Sequence, residues 1–230
     1  MSLNKQGPGK IDWTDYTWSP IAGCLHGCEY CSLLGYDRRF RDRGVMFPQY
    51  RPGWITKDLA IMQRMKPSKI FVGYAGDMWG DWVPEEWILS VLEVGAQCPQ
   101  HTFQFLTKNP KRYADFPLLS NAWYGTTDDG TLRTEGNISE LVESAQCPKL
   151  RFVSFEPLLG EVFPDLFGIQ WVIIGADSNR GAKKPPDRWA DHVMYEAVAR
   201  GVPVWVKDNY RYPERCKCFP LESYKTTQIE

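Results

Sequence analysis

Short apolar stretches alternate with longer amphipathic stretches along most of the chain. Stretches rich in β-branched and aromatic residues are typical of strands, and they cover residues 16–20, 69–73, 101–107, 122–126, 150–155, 170–176 and 202–207. Several of them are apolar at consecutive positions, which is typical of strands buried on both faces. The pattern therefore predicts a parallel sheet of seven strands.

Apolar residues recur at helical spacing between these strands. Trp87, Ile88, Val91 and Leu92 share one face of a predicted helix, which Gly95 ends. By the same reasoning we predict helices over residues 32–43, 57–65, 83–95, 137–145 and 187–200. Residues 45–54 are rich in proline, glycine and aromatic residues and are predicted to form a loop.

The alternation of strands and helices predicts an α/β fold in which helices connect parallel strands. An open doubly wound sheet and a barrel-like closure both fit the pattern. Polar residues follow the ends of the predicted strands, namely Asp77, Lys108, Asp128, Glu156, Asp177 and Lys207. Because the carboxyl ends of parallel strands meet at one edge, and (βα) barrels place their active sites there, we expect a functional site at this edge.

The composition is that of an ordinary globular protein. The chain has 230 residues, 43% hydrophobic and 24% charged, and we treat residues 1–230 as a single domain. A net charge of −1 argues against binding along an extended nucleic acid. No apolar run approaches the ~18 residues of a membrane span, and the polar start of the chain lacks a signal-peptide core. We therefore expect a cytoplasmic protein that does not enter a membrane.

Three cysteines, Cys24, Cys28 and Cys31, are the most informative candidates for chemistry. The chain has seven cysteines, and in a reducing compartment an odd number favours metal binding or free thiols over disulfides. Gly23 and Gly27 allow the backbone to wrap closely around a bulky group. Three thiolates are one short of the four ligands of structural zinc or of an iron-sulfur cluster, so an external ligand could take the open position.

Other interpretations of the cysteines remain open. His26 lies inside the loop and could complete a zinc site of three cysteines and one histidine. The three cysteines could also be inert. Cys216 and Cys218 are too few to hold a second cluster alone, but an auxiliary metal site there is an alternative.

The cysteine segment, with Tyr30 directly before the third cysteine, resembles the C-x3-C-x-aromatic-C signature of the radical S-adenosylmethionine (SAM) superfamily. Nearly the whole chain is also similar to an uncharacterised, phage-associated family within or near that superfamily. The matching stretches are IDWT (11–14), WSP (18–20), GD (76–77), FQFLTK (103–108), WYG (123–125), FEPLLG (155–160) and WVIIG (171–175).

This resemblance implies a partial (βα)6 TIM-like barrel of parallel strands with outer helices, in which the cluster loop, residues 23–31, follows the first strand. The three cysteines would ligate a [4Fe-4S] cluster, whose open iron SAM would chelate. Tyr30 would lie along the adenine. Gly76 and Asp77 stand where the superfamily carries a Gly-Gly-Glu-like stretch that binds the amino group of SAM. Asp77 could equally be a turn residue or a helix cap.

The resemblance also implies an enzyme. An external one-electron reductant would supply the electron that cleaves SAM, and the resulting radical would abstract hydrogen from a small-molecule or nucleotide substrate. The C-terminal tail, residues 208–230, could cover the barrel mouth with Tyr210, Tyr212 and Phe219 and so exclude water. The alternative is a non-enzymatic module in which zinc or a cluster stabilises the fold.

The remaining polar residues have two interpretations each. Asp128 could bind the ribose hydroxyls of SAM or serve a turn. Glu156 is costly to bury unless it is paired; with Lys108 or Lys207 it could form a core ion pair, or it could bind substrate and relay protons. Asp177 could contact the substrate or belong to a surface turn.

Overall fold

The computed structural model describes residues 3–7, 9–31, 48–50, 52–146 and 148–220. The predicted helix over residues 32–43 and the last ten residues of the tail lie outside these ranges. The described helices are α1 (Pro52–Met62), α2 (Glu85–Ala96), α3 (Asn137–Ser144) and α4 (Asp187–Ala199). Short 3-10 helices span Pro110–Asp115 and Asp208–Tyr210. No helix in this part of the chain is long and apolar enough to cross a membrane.

The strands form one large sheet and one small one. They are β1 (Leu3–Lys5), β2 (Tyr16–Trp18), β3 (Ile21–Ala22), β4 (Gln49–Tyr50), β5 (Lys69–Val72), β6 (Thr102–Thr107), β7 (Ala122–Thr127), β8 (Leu150–Phe155), β9 (Trp171–Ile174) and β10 (Val204–Val206). The large sheet has the order β1-β2-β5-β6-β7-β8-β9-β10, and β3 pairs with β4. All seven predicted strands are present, and the α/β prediction is confirmed.

The seven predicted strands run parallel to one another, and in the large sheet as described only β1 is antiparallel to its neighbour. Apart from the small β3-β4 pair, each strand lies beside the one that precedes it in the chain, so the order never reverses. Within the described ranges the sheet is not closed, and β1 and β10 form its edges. The observed sheet therefore does not confirm the expected partial (βα)6 TIM-like barrel.

The two faces of the sheet are covered differently. Buried side chains of all four described helices belong to one large hydrophobic cluster, together with alternate residues of the strands such as Val153 and Val172. The other strand residues form a second cluster without helix residues, which contains Trp13, Phe71, Trp123, Leu150, Phe152, Trp171, Ile173 and Trp205. The described helices thus lie on one face, whereas helices cover both faces of a doubly wound sheet.

The prediction of a loop over residues 45–54 is wrong at its end. Gln49–Tyr50 pairs with β3, and α1 already begins at Pro52 rather than at Lys57. Proline is favoured at the first position of a helix because its missing N–H would have no partner there. The same proline that suggested a loop therefore marks a helix start.

In the described part of the C-terminal tail, Phe219 does not cover the carboxyl end of the sheet, contrary to the prediction. The Phe219 ring stacks on Trp171, with centroids 5.5 Å apart, and the Lys69 ammonium group lies 4.7 Å from its centroid. Trp171 and Lys69 are the first residues of β9 and β5, so Phe219 lies at the amino end of the strands. The Tyr210 hydroxyl donates to the carbonyl oxygen of Pro186, directly before α4. The Tyr212 hydroxyl donates to Asp191 in α4. Phe219 therefore covers apolar surface at the amino end of the strands.

Candidate cofactor and substrate site

One cavity of about 320 Å³ lies at the carboxyl edge of the sheet. Nine of the eleven predicted site residues line it: Cys24, Cys28, Tyr30, Cys31, Gly76, Asp77, Lys108, Glu156 and Asp177. Its wall also contains apolar and small residues, among them Phe71, Leu106 and Gly73. We call this space the main cavity. The structure thus brings together residues that are up to 153 positions apart, from Cys24 to Asp177.

Glycines bring the cysteine loop against the end of β5. The backbone N–H of Gly23 donates to Ala75 at 2.9 Å, and Gly23 forms a parallel bridge with Gly76. A Cβ atom on Gly76 would lie 2.3 Å from the Gly23 carbonyl oxygen, so only glycine allows this approach. Gly27 has a positive φ of 66°, which lets the loop turn between Cys24 and Cys28. Gly76 therefore positions the loop, a role that the sequence did not reveal.

The three cysteines of the loop are free thiols on one wall of the main cavity. Burial raises the pKa of Cys24 to about 12, although a hydrogen bond from the His26 backbone lowers it in part. Arg133 donates from Nη1 to the His26 carbonyl oxygen at 2.5 Å and lies 3.7 Å from the Cys28 sulfur. A protonated thiol becomes a ligand when a metal displaces its proton, so metal affinity would depend on pH.

Cys24, Cys28 and Cys31 are the described thiols at the main cavity that could ligate a metal or a cluster. In the part of the chain that the structure describes, no three or more His, Cys, Asp or Glu side chains are arranged to hold one metal ion. A zinc site needs four ligands that converge on one atom. A cluster has separate irons that each take one thiolate, so three thiolates can ligate three of its four irons.

Asp77 joins the cysteine loop to two strand ends. Its Oδ2 atom lies 2.8 Å from His26 Nε2 and accepts from the Thr107 hydroxyl at 2.8 Å and the Lys108 N–H at 3.0 Å. Its Oδ1 atom accepts from the Trp79 N–H at 3.0 Å. Burial alone would raise the pKa of Asp77, but the hydrogen bond and charge of His26 and the other donors lower it overall. This carboxylate thus holds His26 in place and also serves the turn that the sequence suggested.

Tyr30 is held from three sides. Its hydroxyl group donates to Asp129 Oδ2 at 2.5 Å, and its carbonyl oxygen accepts from Asn179 Nδ2 at 2.7 Å. The Lys108 ammonium group lies 5.4 Å from the ring centroid, within cation–π range. Burial and the hydrogen bond to Asp129 raise the pKa of Tyr30 well above its usual value, so the phenol stays protonated and donates.

Asp129 is a site residue that sequence reasoning missed. Thr131 and Thr134 donate hydroxyl hydrogen bonds to its Oδ1 atom at 2.6 and 2.9 Å, while its Oδ2 atom accepts from Tyr30. The stretch from Asp128 to Gly130 has the composition of a turn. That local pattern gives no indication of the contact between Asp129 and Tyr30.

The pair of Glu156 and Lys207 borders the main cavity. Glu156 lines the cavity, and Lys207 reaches it by an ion pair with Glu156. Their side chains are 20% and 16% exposed. A Cβ atom on Gly175 would lie 2.8 Å from Glu156 Cδ, so this glycine leaves room for the carboxylate. Of the two lysines considered from the sequence, Lys207 is the partner, whereas the ammonium group of Lys108 lies over Tyr30.

Asp128 does not line the main cavity. Its Oδ1 atom accepts from the Gly130 N–H at 3.0 Å and from the Thr134 hydroxyl at 3.3 Å, and burial raises its pKa. These contacts are those of the turn, so the expected contact with ribose has no support in the geometry. Asp177 lines the cavity, and its Oδ1 atom accepts from the backbone and side-chain N–H groups of Asn179, both at 2.8 Å.

Cys216 and Cys218 lie away from the main cavity, beside β10. The Cys216 thiol lies 3.2 Å from the Val204 carbonyl oxygen, and Cys218 is exposed. Backbone hydrogen bonds connect both residues to β10. They belong to the segment that leads to Phe219. Neither of them lines the main cavity, which the three cysteines of the loop do.

The fold and the cavity define an α/β protein in which a cysteine loop meets acidic and lysine side chains at the carboxyl edge of a mostly parallel sheet. Residues 8–218 match the family described as "Protein of unknown function (DUF5131)", so the chain belongs to this family. Comparison with curated proteins and with solved structures finds no match.

Proposed function

We propose that this protein is a radical SAM enzyme that holds a [4Fe-4S] cluster through Cys24, Cys28 and Cys31. The observation that carries the proposal is that these three thiols, without a fourth, line one cavity with Asp77 and Glu156. When bound, the cluster and SAM would supply a 5′-deoxyadenosyl radical that abstracts hydrogen from a substrate. An external one-electron reductant would be the partner that starts the reaction.

The arrangement of the sheet supports the same proposal. Successive parallel strands lie side by side without a reversal, and the described helices lie on one face. Both features are those of a (βα) barrel that has not closed, in which the aromatic cluster fills the interior. The main cavity then occupies the barrel mouth, where barrel enzymes place their catalytic groups.

The residues around the cysteine loop would hold SAM. Tyr30 offers a flat face whose orientation the hydrogen bond to Asp129 fixes. Gly76 keeps the edge of β5 open next to Gly23, since any side chain there would displace the loop. A carboxylate has about four lone-pair sites, and the Oδ1 atom of Asp77 accepts one protein hydrogen bond. That atom would accept a hydrogen bond from the amino group of SAM.

Glu156, Lys207, Lys108 and Asp177 would face the substrate. Because Lys207 neutralises Glu156, the pair can stay in place in a partly buried wall at low electrostatic cost. A paired carboxylate of this kind can accept a substrate hydroxyl proton in a hydrogen bond and orient the C–H bond next to it. Phe71 and Leu106 supply an apolar surface that keeps water from the reacting atoms.

Iron analysis of protein purified without oxygen tests the proposal. We expect about four irons and four sulfides per chain, the content of one cubane cluster. Each of the variants Cys24→Ala, Cys28→Ala and Cys31→Ala should lose most of the iron. The control is Cys218→Ala, because Cys218 is an exposed cysteine outside the cavity and its removal should leave the iron content unchanged.

SAM cleavage distinguishes an enzyme from a structural module. After reduction with dithionite, the iron-loaded protein should convert SAM to methionine and 5′-deoxyadenosine, which chromatography detects. Protein with one zinc ion and no iron would identify the module instead. Iron loading that survives loss of any one of the three cysteines would also contradict the proposal.

A further inference from the structure

A second cavity adjoins the main cavity and has a different chemical character. It has a volume of about 310 Å³, and its lining residues include Asp177, Lys183, Lys184, Asn209 and Arg211. We call it the basic cavity, because three cations and one carboxylate line it. The chain as a whole has a net charge of −1, so this concentration of positive charge is local.

Two of the three cations have no partner for their side chains among the described residues. Lys184 pairs with Asp187 at 2.7 Å. The side chains of Lys183 and Arg211 make no hydrogen bond or ion pair with any residue in the described ranges. The single carboxylate, Asp177, turns its Oδ1 atom toward the amide groups of Asn179. Among the residues that the structure describes, the cavity therefore has two cations that form no ion pair beside one carboxylate.

The backbone at Arg211 is unusual. Its φ of 57° is the only positive φ among the non-glycine residues that the structure describes. Such a conformation costs free energy in a residue with a side chain and is over-represented at ligand sites. In this case the conformation accompanies a guanidinium group that lines the cavity.

The two cavities share a fixed wall. Ala176, Asp177, Ser178 and Asn179 line both of them. Asn209 braces this wall by donating from Nδ2 to the Ala176 carbonyl oxygen at 2.7 Å and to the Ser178 hydroxyl at 2.9 Å. Asn179 connects the wall to the cysteine loop through the carbonyl oxygen of Tyr30. A ligand could thus occupy both cavities with its two ends on either side of residues 176–179.

We infer that the basic cavity is a phosphate subsite, and that the substrate is a small molecule whose phosphate group lies there while its other end lies in the main cavity. Lysine and arginine side chains without partners are the groups that bind phosphate oxygens most strongly. The subsite itself does not depend on the proposed function. The statement about the substrate rests on the proposed function.

Calorimetric titration at fixed ionic strength tests the subsite with inorganic phosphate as the probe. We expect the variant K183E/R211E to bind phosphate at least tenfold more weakly than the wild type. The matched control K57E/R64E makes the same change in charge at two exposed residues outside both cavities, and its affinity should change less than twofold. If K183E/R211E does not fold, the neutral variant K183Q/R211Q takes its place, with at least a fivefold loss expected.

Phenyl phosphate tests the connection between the cavities. Its ring should reach the apolar wall of the main cavity, so it should bind at least fivefold more tightly than inorganic phosphate. Equal affinities would overturn the statement about the substrate. Absence of phosphate binding to the wild type, or an equal loss in K57E/R64E, would overturn the subsite. Neither titration requires SAM cleavage, so an iron-free protein that binds phosphate would contradict the proposed function alone.

Discussion

Single glycines determine where the functional groups of this protein lie. Gly76 lets the cysteine loop approach β5, and Gly175 leaves room for Glu156. In both cases a Cβ atom would lie within 3.0 Å of another group. Neither residue carries chemistry, yet both decide whether the residues that do carry it can meet in one cavity.

We expect Gly76→Ala to lose iron more severely than it loses stability. The added methyl group would lie 2.3 Å from the Gly23 carbonyl oxygen, so the loop must move. The free energy of unfolding should fall by about 1–3 kcal/mol, as for overpacked sites, and the iron content should fall by more than half. Urea denaturation and iron analysis measure the two effects.

The control for this variant is Gly53→Ala. Gly53 lies in α1, and a Cβ atom there would meet nothing within 4 Å. Alanine should stabilise the helix by up to about 1 kcal/mol and leave the iron content unchanged. A Gly76→Ala protein with full iron content would show that the loop does not depend on this close approach.

Gln104 is a buried polar residue that lacks partners. It is 0% exposed, and neither its Oε1 nor its Nε2 atom has a hydrogen-bond partner among the described residues. Its neighbours in register are Phe71 and Trp123. An unpaired buried amide costs about 1–3 kcal/mol. We therefore expect Gln104→Met to raise the free energy of unfolding by about 1–2 kcal/mol.

Urea denaturation measures this effect beside Gln97→Met, a change at an exposed glutamine whose side chain donates to Glu93 on the surface. The free energy of unfolding of that control should stay within about 0.5 kcal/mol of the wild-type value. A loss of more than about 1 kcal/mol in Gln104→Met would mean that a bound water or ligand satisfies the amide.

At the scale of elements, hydrophobic pattern predicted the strands and most helices well. The seven parallel strands were predicted because they are rich in β-branched and aromatic residues, and α2, α3 and α4 because their apolar faces are regular. The edge strand β1 was missed, since Leu-Asn-Lys has one apolar residue and pairs on one side only. Pattern also placed nine site residues at one edge, because parallel strands end together.

Contacts between loops could not be predicted in the same way. Asp129 and Tyr30 are 99 positions apart, and no local signal connects them. The sequence left two lysines as candidate partners of Glu156, and only the three-dimensional structure shows that Lys207 forms the ion pair. Local pattern identifies the elements, whereas these pairings depend on how the loops fold across the sheet.

The loop after β7 should make stability depend on pH. Burial alone would raise the pKa of Asp129, but hydrogen bonds from Thr131, Tyr30 and Thr134 lower it below its usual value. A carboxyl group with a lowered pKa in the folded state contributes stability above its unfolded pKa of about 4. That contribution is lost as the pH falls through the folded pKa.

Asp129→Asn should therefore lower the free energy of unfolding by about 2 kcal/mol at pH 7. This difference from the wild type should shrink as the pH falls from about 4 toward 3. Urea denaturation across pH 3–7 measures it. Asp77 titrates in both proteins, so its effect cancels in the difference. The control Asp165→Asn, with a side chain 76% exposed, should show a small and constant difference. A difference for Asp129→Asn that does not change with pH would contradict this account.

At the scale of the whole molecule, the two ends of the sheet have separate tasks. The carboxyl end carries the main cavity and the basic cavity. The amino end is closed by the tail, where Phe219 packs on Trp171 and Trp205. Because Phe219 packs at the end remote from the cysteines, substitutions there should affect stability and substitutions at the cysteine loop should affect cofactor binding.

Phe219→Ala tests this separation. Removing the ring uncovers part of the aromatic cluster, so the free energy of unfolding should fall by about 2–3 kcal/mol, somewhat less than for a fully buried phenylalanine. Iron content after anaerobic purification should equal that of the wild type. The control Phe163→Ala removes the same ring from a residue that is 77% exposed, and it should change stability by less than about 1 kcal/mol. If Phe219→Ala instead lost its iron while its unfolding midpoint stayed unchanged, the tail would act at the mouth of the cavity, as the sequence alone had suggested.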